Sequence, residues 1–291
     1  MLRTPICDRF GIEYPVILAG MGGVSMAPLV AAVSNAGGLG VMGAAALSPD
    51  ELRAEIRRTR ALTDRPFAVD LLAPLPQMIV PYLPVLYEEE VKIFVAGLAV
   101  PEKHVAEMHA HGITIMVMAG KVKHAVRAEQ AGADVVAAQG TEAGGHTGEI
   151  GTLALGAQGA VIGTRFIATP EATAARQYRE ALVHAEQDET VRTRAYSGKP
   201  LRALKNPYIA EHEADPSKMR PFPEQLMLSA QRNVMAYWRP EADPEKTCFP
   251  AGQGVGGFRD IKPAGEIVRE VVAQAEAVLR SGVFAGANGR R

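Results

Sequence analysis

Short apolar runs punctuate the chain at residues 16–19, 39–42, 67–71, 91–95, 114–118, 135–138 and 160–166, their starts 21 to 28 residues apart. Each is too short for an ordinary helix and rich in the branched residues that suit a pleated strand. Between them lie more polar segments with apolar positions at helical spacing and with recognisable ends. Ser48-Pro49-Asp50-Glu51 is the clearest start: Ser48 caps, Pro49 suits the first turn and Glu51 completes a capping box. Segments 101–111 and 121–131 stop at Gly112 and Gly132, each just before the next apolar run, as a helix feeding a strand through a glycine cap should. Strands alternating with helices predict a parallel sheet covered on both faces. So even a period over seven units favours a (β/α)8 barrel of TIM type, here one strand short of closure.

After about residue 170 the rhythm changes. A charged stretch at 171–189 and a long amphipathic one at 222–238 read as helices, with the segment SGKPLRALKNPY between them. Residues 251–257 form a glycine-rich turn, and 263–279 carry one apolar stripe (Ile267, Val268, Val271, Val272, Ala275, Val278) that fits a helix packing back on the barrel. The expected division is a barrel over 1–170, a helical cap or insertion over 171–250, and a turn with a C-terminal helix over 251–291.

Composition narrows the class further. With 47% hydrophobic residues and 31 Lys+Arg against 32 Asp+Glu, the balance is that of a globular protein, neither basic enough for nucleic acid nor acidic enough for disorder. No apolar stretch reaches the roughly 18 residues of a spanning helix, and charges interrupt the first 20 residues, so neither a membrane partner nor a signal peptide is expected. Cys7 and Cys248 have no metal-ligand spacing and no basic neighbours, which fits incidental thiols in a reducing cytoplasm.

In a parallel barrel the chemistry sits just beyond the C-terminal strand ends. Those positions read Ala19-Gly20-Met21-Gly22-Gly23, Asp70, the loop from Gln139 through Gly144, Gly145 and His146 to Gly148, and Gly163-Thr164. Strand-end glycines can simply make tight turns; they can equally bring backbone N–H groups close to a flat ring or a phosphate. The Gly20 turn does not follow the dinucleotide fingerprint, and no P-loop, nucleophile elbow or metal motif is present. His146 stands apart because His104, His109, His111 and His124 fall on helical segments, where a solvated face explains them. An imidazole on a glycine-rich strand-end loop suits proton transfer near neutral pH. Glu142, four residues earlier, is a candidate to orient it or to bond the loop backbone.

Three segments, ICDRFGIEYPVILAGM, AAQGTEAGGHTGEIGT and GAQGAVIGTRFIATPEA, together resemble the nitronate monooxygenase family, formerly called 2-nitropropane dioxygenases. The resemblance runs from residue 2 to about residue 280. It implies an FMN-binding TIM barrel that oxidises alkyl nitronates with O2 to a carbonyl compound and nitrite. By this resemblance His146 is the base or the group that orients the substrate. Gln139, Gly144 and Gly145 contact FMN, Ala19, Gly20 and Met21 lie against the ring, Asp70 sits near its pyrimidine side, and Gly163 and Thr164 face the phosphate. The implied partners are a small-molecule substrate and O2, with homo-oligomerisation left open. Three departures stand out. Family members carry a further strand-and-helix unit between Thr152 and Leu155. Asp70 stands where they commonly have Asn, and Leu18 where Gln is frequent. Two other functions fit the same loop: an FMN-dependent NADH:quinone or enoyl-thioester reductase, and a degenerate flavin-barrel homologue without activity.

Overall fold

The computed structural model describes residues 2–147, 151 and 157–281. Seven parallel strands follow the predicted runs: β1 Val16–Leu18, β2 Gly40–Gly43, β3 Phe67–Leu72, β4 Ile93–Gly97, β5 Thr114–Ala119, β6 Val135–Ala138 and, after a short strand β7 (Gly145–His146), β8 Ala160–Ile162. β2 to β6 pair in sequence order. β1 pairs with β8 and joins β2 through the parallel bridge Ile17–Leu39, giving the array β8-β1-β2-β3-β4-β5-β6. The run at 160–166 is strand only to Ile162; Thr164–Ile167 turns into a helix.

Alternation along these strands separates two apolar cores. Val16, Leu18, Met42, Val69, Leu71, Phe94, Ala96, Ile115 and Val117 point outward into the helix layer. Ile17, Leu39, Val41, Ala68, Ile93, Val95 and Met116 pack inside, where Ile6, Cys7, Phe10 and Ile12 of the first helix and its exit plug one end. Both faces of the sheet are thus buried, as its unbroken apolar runs require. The two outermost strands are not equally covered. β6 alternates half-buried and exposed residues, and β8 is exposed at Ala160, whereas β2 and β4 are buried throughout. No pairing joins β6 to β8 among the described residues. The stretch between Thr152 and Leu155 lies outside them.

The helix at Pro49–Arg60 begins with the expected capping box, Ser48 accepting from the Glu51 N–H and Glu51 from the Ser48 N–H. Its Arg53, Arg57 and Arg60 converge on Glu89, whose carboxylate is 6% exposed. The last helix runs Ala264–Arg280 and buries Ile267, Val268 and Val272 as its stripe predicts.

The region after 170 departs from the helical expectation. Thr190–Thr193 (β9) and Leu201–Leu204 (β10) form an antiparallel hairpin, and β10 also pairs with β7, so a second, three-stranded sheet stands beside the mouth of the first. The charged segment is helical only over Arg176–His184. The long amphipathic segment is helical only over Glu224–Gln231, because the chain turns at Asn233 with a left-handed φ of 56°. Val234, Met235, Ala236, Tyr237 and Trp238 lie beyond that turn.

Candidate active site

Strand parity puts four of the expected residues in one layer. Two positions beyond inward-facing Ile17, Ala68, Ala137 and Val161 come Ala19, Asp70, Gln139 and Gly163, so all four share the inner face at the C-terminal mouth. Backbone bonds extend the sheet into this layer: the Ala19 N–H donates to the Ile162 carbonyl and the Gln139 N–H to that of Ala119, both at 2.9 Å. A Cβ placed on Gly163 would lie 3.4 Å from Ala19 Cβ and 3.5 Å from Met21 Sδ, so these three expected residues are neighbours.

The 19–25 turn is fixed by Ser25, a fully buried serine whose Oγ accepts from the Met21 N–H at 2.8 Å and from the Gly43 N–H at 3.0 Å. At Gly20 a side chain would overlap the Asp70 carboxylate, which explains why glycine follows the strand here. Asp70 Oδ1 is closed off from solvent and has no hydrogen-bond partner. Burial alone pushes this carboxyl up to about 8, so the neutral acid prevails at pH 7.

The loop from Gln139 is pinned from three sides. Arg202 Nε donates to the Thr141 carbonyl at 2.7 Å, and the Gln253 N–H donates to that of Glu142 at 2.8 Å. Gly144 meets Gly252 so closely that a Cβ on Gly144 would lie 2.8 Å from the Gly252 nitrogen. Gly252 in turn donates to Thr164 Oγ1 at 2.9 Å, which leaves the Thr164 hydroxyl its proton to give. The late glycine-rich turn thereby ties Gly144 to Thr164.

His146 is not on a free loop, as glycine-rich flanks suggest, but in β7, its backbone in register with Leu201. Its Nε2 lies 2.9 Å from Ser197 Oγ, so a serine 51 positions on holds the ring. Ser197 is fully buried and also donates to the Lys199 carbonyl at 3.2 Å. A Ser197 proton engaged by the Lys199 carbonyl matches the His146 tautomer with its hydrogen on Nε2 and its lone pair on Nδ1. Burial, and then the charge of Lys199, pull the imidazole down to about 4, so it is neutral at pH 7. Lys199 Nζ itself sits 4.2 Å from the centre of the Phe222 ring. Ser197, Lys199 and Arg202 escaped the sequence-based selection of single residues, although all three lie in the SGKPLRALKN segment it singled out. Trp238, whose indole covers the turn at Gly23, gave no signal beyond being an aromatic in an amphipathic run.

Cys7 and Cys248 are buried and unpaired, and burial pushes the Cys248 thiol far up, away from nucleophile chemistry. Among the described residues no cluster of His, Cys, Asp or Glu is arranged for a metal, and no helix is long and apolar enough to cross a membrane. A concavity of about 700 Å³ opens at the opposite end of the strands beside Phe67, Ile93 and Thr114, away from the residues at the C-terminal mouth.

Fold and site together define an α/β protein of TIM-barrel type with its polar groups gathered at the C-terminal mouth. A family model described as nitronate monooxygenase matches residues 3–83, 79–153 and 151–274. The nitronate monooxygenase of Paraburkholderia phytofirmans is 30% identical, the match covering 97% of this chain and 96% of that protein. A (3aS,4S,5R,7aS)-5-hydroxy-7a-methyl-1-oxo-octahydro-1H-indene-4-carboxyl-CoA dehydrogenase of Mycobacterium tuberculosis is 32% identical over 82% of this chain and 76% of its own. Among solved structures, FabK from Thermotoga maritima superposes with a TM-score of 0.87 at 30% identity, covering 97% of this chain and 98% of that one. A nitroalkane oxidase from Streptomyces ansochromogenes gives 0.84 at 29%, covering 94% and 99%. The chain belongs to the nitronate monooxygenase family and is an oxidoreductase.

Proposed function

We propose that this protein is an FMN-dependent oxidoreductase that converts alkyl nitronates and O2 to a carbonyl compound and nitrite. The observation that carries the reading is His146, a neutral imidazole held by Ser197 beside the C-terminal strand mouth, the end at which barrels of this type carry their chemistry. The residues present suit a flavin. The orphaned Asp70 Oδ1 awaits a partner, and Ala19, Gly20, Met21, Gln139 and Gly163 give a close-approach inner layer for a flat ring. Gly163 and Thr164, with the Gly144–Gly252 contact beside them, supply the corner for a phosphate. FMN, when bound, would supply the redox relay between substrate and O2. The chain's own part is to orient and to exclude water. A nitronate arrives already deprotonated, so an imidazole near 4 serves it as a fixed hydrogen-bonding group, with Nδ1 as the atom able to take a proton where a neutral nitroalkane is offered.

The barrel, in this reading, is shortened by one strand-and-helix unit. Two findings support it. The family match breaks at residues 151–153, and the alignment with the Paraburkholderia enzyme runs over 358 positions against a chain of 291 residues. The half-covered β6 and β8 flank the place where that unit would stand. Residues 1–170 then form the flavin-binding barrel, 171–250 the covering region and 251–291 the returning turn and helix, in a cytoplasmic protein.

The test is the visible spectrum of the purified protein with identification of the released cofactor, followed by oxygen consumption with a propyl nitronate. Replacing His146→Ala lowers turnover by about 10²-fold or more while flavin content holds; equal turnover removes His146 from the mechanism. Likeness to FabK and to the carboxyl-CoA dehydrogenase favours a second reading, a reductase acting on an enoyl thioester or quinone. NADH oxidation without any nitro compound would select it.

A further inference from the structure

Asp70 ends the inner face of β3 at the level of the site, and every element packed on it is uncharged. β2 brings Gly43 opposite it, β4 brings Val95 in register and Gly97 beyond, and the preceding turn brings Gly20 against its Oδ2. The short helix Ala44–Ala46 and the helix Ala27–Asn35, which also contact β3, carry no ionisable side chain. No ion pair or hydrogen bond reaches its occluded Oδ1. A carboxylate in such a place has neither a cation nor a donor to offset desolvation, whereas a carboxylic acid needs only one acceptor. The pyrimidine edge of a flavin offers two carbonyl oxygens that accept and a single N3–H that donates, so a donor finds more partners there than an acceptor does.

Resting on the flavin reading above, we propose that Asp70 works as a neutral acid, donating its proton in a hydrogen bond to an acceptor on the flavin ring, so that cofactor retention is gated by pH. Asn, an amide donor, would make the same bond at any pH; an Asp makes it only while protonated. Ionisation sets a carboxylate against a carbonyl oxygen and removes the donor in one step. The direction in which burial moves this group, to about 8, places the gate on the alkaline side of neutrality.

The experiment is FMN titration of the flavin-stripped protein, followed by quenching of FMN fluorescence, from pH 6 to 9.5 on the wild-type chain and on Asp70→Asn. Both chains share the ionisations of the FMN phosphate and ring, so the difference between them isolates Asp70. The expected result is similar affinity at pH 6, then a wild-type Kd that rises toward tenfold per pH unit above the gate while that of D70N stays flat. Parallel curves, or a D70N chain that binds far more weakly at pH 6, overturn the proposal and leave the flavin reading standing. Absence of binding by both chains at every pH overturns both.

Discussion

Replacing Ser197→Ala is the sharpest probe of how His146 is held. The hydroxyl is fully buried and makes three contacts, with His146 Nε2 at 2.9 Å, the Lys199 carbonyl at 3.2 Å and the Lys199 N–H at 3.3 Å. The methyl that remains fills most of the space, so the loss is polar rather than a cavity. Each buried group left unmet costs about 1–3 kcal/mol, and Lys199, only half-buried, can turn its backbone to water, so about 2 kcal/mol of stability should go. The comparison belongs at pH 7. His146 sits near 4 in the folded chain, below its ordinary value of 6.5, so between those limits the unfolded chain binds the proton that the folded site refuses and stability climbs with pH. Above that window both states are neutral, and urea unfolding reads the hydrogen bonds alone. In turnover at full flavin occupancy, kcat should drop about tenfold or more with KM little changed, because the ring loses its orientation rather than the substrate its seat. Ser197→Thr, which keeps the hydroxyl, should recover part of the rate. Wild-type kcat in the alanine variant would refute the role of Ser197 in positioning His146.

Two further substitutions test other joints of the site and frame. Gly144→Ala forces a methyl to within 2.8 Å of the Gly252 nitrogen, so the loop and the late glycine turn must part; a loss of about 1–3 kcal/mol in urea melts, with flavin released more readily, is expected, and unchanged melts would show that the contact is soft. Glu89→Ala strips the shared partner from Arg53, Arg57 and Arg60 and should cost about 1–3 kcal/mol at pH 7, discounted for the exposure of the arginines. Burial opposes ionisation of Glu89, but its bonds to Arg57 and Arg53 outweigh it and hold the carboxyl low. Its contribution is therefore present above the ordinary carboxylate range and fades as pH falls through it; equal acid sensitivity of variant and wild type would count against this account.

Much of the barrel was legible because its signal is repetitive. The inner strands, largely buried on both faces, must be apolar runs, and the clearest helix end carried a capping box while two others were marked by a following glycine. The same alternation that placed Val41 and Val95 inside placed Ala19, Asp70, Gln139 and Gly163 in one layer, so strand ends alone disclosed that part of the site. The second sheet was illegible for the opposite reason. β7 has two residues and β9 and β10 four each, too short for alternation to speak, and Thr190–Thr193 lies in what otherwise reads as a charged helical stretch. The amphipathic run at 222–238 kept its period while the backbone turned at Asn233, a left-handed position that spacing does not register. For His146 the sequence offered Glu142 as a near partner; Ser197 was out of sight because only the pairing between β7 and β10 shortens a separation of 51 residues to one hydrogen bond. At Asp70 the carboxylate was visible from the start, but that no cation meets it follows only from the packing.

The two sheets divide the labour of the site. The layer of Ala19, Asp70, Gln139 and Gly163 belongs to the parallel array, whereas the imidazole is carried by β7, which pairs with β10 in the other sheet. Substitutions around Ser197 can therefore alter the surroundings of the imidazole while the strands of the parallel array stay as they are, much as a tool head is exchanged on a fixed handle. A frame of this kind accommodates a nitronate monooxygenase, a nitroalkane oxidase and a carboxyl-CoA dehydrogenase among its relatives at about 30% identity. A library confined to residues 190–201, which spares Arg202 and its hold on the Thr141 carbonyl, should change what is oxidised or reduced more than it changes cofactor content.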